Sequence, residues 1–190
     1  MSWAVCPMPT RQDCAMKQFM FKLLRLLMAP LRMSYRRRNG VESQAEKKEI
    51  PNAVLLGMAR DMIREGHTAT ISVKGYSMRP FLEHLRDRVI LDAPSELHVG
   101  DAVLAEISPD HYVLHRIIRL EGDIVTLMGD GNVRGTESCR RSEVAGVVTH
   151  YLRPNRMLLA SDPALVRRIR MWRRLLPVRR YLLYIYRAII

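Results

Sequence analysis

The chain has 190 residues, of which 48% are hydrophobic, with 31 Lys/Arg set against 19 Asp/Glu. That length suits one domain with extensions, and the apolar fraction excludes a disordered chain. The three cysteines, Cys6, Cys14 and Cys139, have neither metal-ligand nor disulfide-framework spacing, so no metal, cofactor or disulfide scaffold is expected.

The net charge of +12 divides unevenly: +6 over residues 1–50, −3 over 51–149 and +9 over 150–190. This pattern predicts a mildly acidic globular unit between two basic arms, which would seek phosphate on lipid headgroups or nucleic acid. Three segments are expected: a basic N-terminal arm and linker (1–50), a β domain with a leading helix (51–152), and a basic helical tail (153–190). The most apolar stretch, Gln18–Met33, is broken by Lys22, Arg25, Pro30 and Arg32. It falls short of the roughly 18–20 uninterrupted apolar residues of a membrane span.

The elements follow in chain order. Arg36–Ile50 is polar and reads as a linker. Asn52 can cap a helix in which Val54, Leu55, Met58 and Met62 recur at helical spacing, with Gly66 as its stop. Short strands follow at 68–73, 88–93, 101–107, 112–120, 124–128 and 143–152, rich in β-branched residues and divided by turn residues. The fold class is therefore mainly β, a coiled antiparallel domain with flanking helices. In the tail, Asp162 caps and Pro163 opens a helix over 163–176, and Pro177 separates it from a tyrosine-rich stretch. Leu165, Ile169, Trp172 and Leu176 line one face, with Arg167, Arg170 and Arg174 away from it. Such a helix fits an anionic membrane surface better than nucleic acid, which gains nothing from an apolar stripe.

Three spots in the β domain carry candidate chemistry: "GYSMRP" (Gly75–Pro80), His115–Arg116, and "GDGN" (Gly129–Asn132). A serine hydroxyl becomes a useful nucleophile when a base accepts its proton, and histidine, with an ordinary pKa of about 6.5, suits that work. A carboxylate on the far ring nitrogen would fix the tautomer. Spacing alone leaves Ser77 and Asp130 readable as turn residues and His115 as a packed strand residue.

These boxes, together with Leu97–Glu106, "VLHRIIRLEGD" (Val113–Asp123), "ESCR" (Glu137–Arg140) and "VAGVV" (Val144–Val148), resemble type I signal peptidases in the order the family has them. That superfamily also includes LexA-type self-cleaving repressors. The resemblance spans about residues 68–150. It implies Ser77 as nucleophile and His115 as general base, where bacterial members have lysine and the endoplasmic-reticulum and archaeal-like branches have histidine. It implies Asp130 as the orienting carboxylate, with Asp123 and Glu137 as further candidates, and an oxyanion hole made partly by the Ser77 backbone N–H. Lys74 lies outside the box that holds the family's lysine. The chain departs from the family in three ways: it has no membrane span, a longer and more charged "RPFLEHLRDRV" after the serine, and an extra glycine in "GDGN".

The expected function is a serine endopeptidase that takes protein or peptide substrate as an extended strand, working peripherally at a membrane surface and otherwise cytoplasmic. Two alternatives stand beside it: a catalytically idle peptide-binding module docked on membranes, and a LexA-like regulator. The regulator would need an N-terminal helix-turn-helix and an internal scissile site, and neither is evident in residues 1–66.

Overall fold

A computed structural model of the chain describes residues 52–189. The arm and linker expected over 1–50 lie outside the described residues.

Helix α1 (Asn52–Arg64) leads, and Gly66 ends it in a left-handed conformation at φ 87°. The positions that reveal this helix in the sequence are not those it buries. Ala59 and Ile63 face the core, whereas Val54, Leu55, Met58 and Met62 are 39–55% exposed. Eight strands follow: β1 (Ala69–Ser72), β2 (Arg88–Asp92), β3 (Ala102–Ser108), β4 (His111–Glu121), β5 (Ile124–Met128), β6 (Glu137–Arg140), β7 (Val144–Arg153) and β8 (Arg156–Leu159). They form one antiparallel sheet in the order β1-β2-β7-β3-β4-β5-β6, with β8 paired to β7. The expected mainly β, antiparallel class is what the chain adopts. β6 and β8, four residues each, were not expected as strands.

Strand β3 is the centre of the molecule. Ala102, Val103, Leu104 and Ala105 are all buried, so both of its faces are covered. Alternation along the strand sends Ala102 and Leu104 into one cluster, with Ile71, Leu91, Tyr151 and Trp172, and Val103 and Ala105 into a second, with Ile117, Val125 and Leu127. Register shifts interrupt β2–β7, β3–β7, β3–β4 and β4–β5, and such bulges let a sheet bend.

The tail departs from expectation. Helix α2 (Pro163–Arg174) is capped by the Asp162 carboxylate, which accepts from the Ala164 and Leu165 amides as foreseen. It ends at Arg174 rather than 176, and its apolar face lies in the protein, with Leu165, Ile169 and Trp172 at most 5% exposed, whereas Leu176, expected on that face, is exposed in the turn that follows. A 3-10 turn (Leu176–Val178) leads to helix α3 (Arg179–Ile189), whose Leu182, Leu183 and Tyr186 are also buried. The boundary expected after residue 152 is therefore corrected. Strand β7 runs through it, β8 extends the sheet, and both helices share the core of α1 and β1. Full burial of one large apolar side chain contributes roughly 1.5–3 kcal/mol, so a helix pair burying six such residues is not a detachable arm.

Candidate active site

His115 and Arg116 are neighbours on β4, so their side chains leave the strand on opposite faces. That parity decides which carboxylate each can meet. Arg116, 1% exposed, donates from Nε and Nη2 to both Asp130 carboxylate oxygens (2.8 and 2.6 Å) and from Nη1 to the Gly100 carbonyl at 2.7 Å. Burial works against the guanidinium charge, but Asp130 beside it more than offsets this and holds its pKa above the ordinary arginine value. Asp130 is thus committed to a buried ion pair, and its assignment to His115 is corrected. Its backbone carbonyl is held as well, accepting from Trp172 Nε1 at 2.8 Å.

The carboxylate on His115 belongs to Glu137. Its Oε2 lies 2.9 Å from His115 Nδ1, with His115 buried and Glu137 30% exposed. Register explains the meeting. Ile117, two residues along and on the face of His115, is opposite Leu127, which is opposite Glu137. Asp123, in the exposed turn between β4 and β5, is bonded through its carbonyl to the Arg141 amide.

Ser77 and His115 line one cavity of about 160 Å³. Its walls are Leu55 and Leu56 of α1, Ile71 to Lys74 at the end of β1, and Tyr112 to Leu114 of β4. Three strands separate β1 from β4 in the sheet order. Four flat spacings of about 4.8 Å would hold them roughly 19 Å apart, so their sharing a cavity requires the sheet to curl. Helix α1 is fastened across this side by Arg60, which donates to Glu106 at 3.0 Å and to the Tyr112 hydroxyl at 2.8 Å. No direct Ser77–His115 hydrogen bond occurs among the described residues; the two share the cavity without closing on each other. Lys74 lines the same cavity.

Two contacts fix the turn that carries Ser77. From one side, the Gly131 amide donates to the Ser77 carbonyl at 2.7 Å. The glycines of this loop are required by crowding. A Cβ on Gly129 would lie 2.5 Å from the Ser77 carbonyl oxygen, and one on Gly131 2.6 Å from that of Tyr76. The extra glycine of "GDGN" is thereby accounted for. From the other side, Arg79 donates to Glu83 Oε2 from Nε (3.0 Å) and Nη2 (2.8 Å), and the Tyr186 hydroxyl donates to Glu83 Oε1 at 2.5 Å. Burial, and then the bond to Glu83, push the Tyr186 phenol above its ordinary value, so it remains a neutral donor. Asp87, fully buried, accepts from Arg86 through both oxygens and from the Glu83 amide. The charged stretch "RPFLEHLRDRV" is thus a packed polar brace under the Ser77 turn.

Sequence reasoning left Glu137 a lesser candidate and missed Glu83 and Tyr186. Strand parity could have separated Asp130 from His115. The Arg79/Glu83 spacing of four was the available signal for the brace. Compared with known protein families, with characterised proteins and with solved structures, the chain matches none.

Proposed function

We propose that the chain is a serine endopeptidase in which Ser77 is the nucleophile, His115 the general base and Glu137 the residue that orients it. The single observation that carries this reading is the cavity shared by Ser77 and His115, with the imidazole anchored through Nδ1 to Glu137 at 2.9 Å. Anchoring one ring nitrogen leaves Nε2 to handle the proton.

In the proposed reaction Ser77 Oγ attacks a peptide carbonyl carbon while its proton passes to His115 Nε2. The tetrahedral intermediate collapses with cleavage of the C–N bond, and the imidazolium gives its proton to the departing amine. Water, deprotonated by the same nitrogen, then hydrolyses the acyl-enzyme and restores the serine. Glu137 stabilises the imidazolium without itself taking the proton. The turn's internal backbone bonds come from the Arg79, Phe81 and Leu82 amides, so the Ser77 N–H is left for the oxyanion. Strand β1 is at the sheet edge and leads into the cavity, which offers an extended substrate a place to add as a strand.

The test is fluorophosphonate labelling of the full chain, together with cleavage of a random peptide library analysed by mass spectrometry. Labelling at Ser77 is expected, with both signals abolished in Ser77→Ala and reduced at least a hundredfold in His115→Ala. A folded parent that neither labels nor cleaves would sink the peptidase reading in favour of an idle peptide-binding module.

A further inference from the structure

Of the face assigned to a bilayer from sequence, Leu165, Ile169 and Trp172 are spent on the core while Leu176 stays exposed, which leaves the outward side of the tail to account for. On α3 the outward residues are Arg180, Tyr181, Tyr184 and Arg187, a single arc at helical spacing opposite the buried Leu182, Leu183 and Tyr186. Tyr181 is 54% and Tyr184 76% exposed, and the preceding turn adds Leu176 and Val178, also exposed. No aspartate or glutamate occurs from Pro163 to Ile190. Among the described residues, neither Arg180 nor Arg187 belongs to an ion pair.

We infer that the outward face of α3 and the turn before it form a docking surface for an anionic phospholipid bilayer. The inference is independent of the peptidase reading. Tyrosine combines an apolar ring with a polar tip and arginine an apolar stem with a charged head, so both suit the headgroup boundary. Leu176 and Val178, exposed in the turn before the helix, add apolar contact. Charge selects the partner, since a segment with arginines and no carboxylate of its own meets acidic headgroups favourably. A second copy of the chain would set Arg180 and Arg187 against their own kind, and nucleic acid would gain nothing from Leu176 and Val178. The surface lies along the membrane, since no helix among the described residues is long and apolar enough to cross one.

The experiment is co-sedimentation of the full chain with vesicles of phosphatidylcholine alone or mixed with phosphatidylserine. Binding is expected to the mixed vesicles only and to weaken with salt. Each arginine near an anionic surface contributes about a factor of five, so Arg180→Gln/Arg187→Gln should bind roughly 25-fold more weakly. Tyr181→Ser/Tyr184→Ser should lose at least tenfold, with thermal stability close to the parent because all four side chains are exposed. The emission of Tyr184→Trp should shift to the blue on mixed vesicles. The inference is overturned if the tyrosine variant binds as the parent does, since attraction by charge alone would be common to nucleic acid and to the N-terminal arm. It is equally overturned if Tyr184→Trp shows no shift on vesicles that sediment the protein, or if the tyrosine variant disperses a lipid-free dimer.

Discussion

Two carboxylates flank the adjacent residues His115 and Arg116, and their environments give them different work. Glu137 is partly exposed and touches the imidazole, whereas Asp130 is buried and neutralises Arg116. The two roles separate by measurement. Glu137→Gln should keep the fold and lower kcat by roughly 10²–10⁴-fold, because the ring loses its charged partner. Asp130→Asn leaves the Arg116 charge buried without a counter-ion and should cost about 3–5 kcal/mol of stability. Denaturant unfolding read beside kcat distinguishes them. If Asp130→Asn were as stable as the parent and inactive while Glu137→Gln kept full activity, the roles would be reversed.

Among the elements, the sequence was most legible where period and turn chemistry agreed. Strand β5 falls on the expected Ile124–Met128, and α2 begins after its expected cap, Asp162, while Asn52, expected as the cap of α1, is that helix's first residue. Strands β6 and β8 escaped because four residues such as Glu-Ser-Cys-Arg show too little alternation to read as strand, and their pairing comes from β5 and β7. Losing β6 also left Glu137 a lesser candidate, since its position follows from register rather than from any local signal. The serine box and the "GDGN" loop were both visible, but not that they touch through Gly131. That contact has a sharp consequence. In Gly131→Ala the new methyl would meet the backbone carbonyl of Tyr76 at 2.6 Å, so the Ser77 turn must move. Displacement on the order of 1 Å can cost about a hundredfold in rate. Gly131→Ala should therefore lose at least that factor in kcat with the sheet intact by far-UV circular dichroism. Gly135→Ala has open space around its new methyl and serves as the comparison, although its φ of 86° carries some strain of its own.

At the scale of the whole molecule, the tail closes the structure that builds the site. Trp172 donates to the loop carbonyl of Asp130, Arg179 donates to the Asn132 carbonyl at 2.9 Å, and Tyr186 reaches the brace at Glu83. All three bonds come from the segment that charge and composition marked as an arm. Composition misled because an arginine-rich helix shows the same stripe whether the partner is a bilayer or a sheet, and only the sheet's own unfilled face decides between them. A shared core implies shared cooperativity. In a Trp3→Phe background, the fluorescence of Trp172 reports the tail and far-UV circular dichroism reports mainly the rest. The two denaturant transitions should coincide, and removal of residues 160–190 should leave a chain with no cooperative transition at all. Two separated transitions, or a truncated chain that unfolds cooperatively, would mean that the tail is an appendage and that the Ser77 turn stands without it.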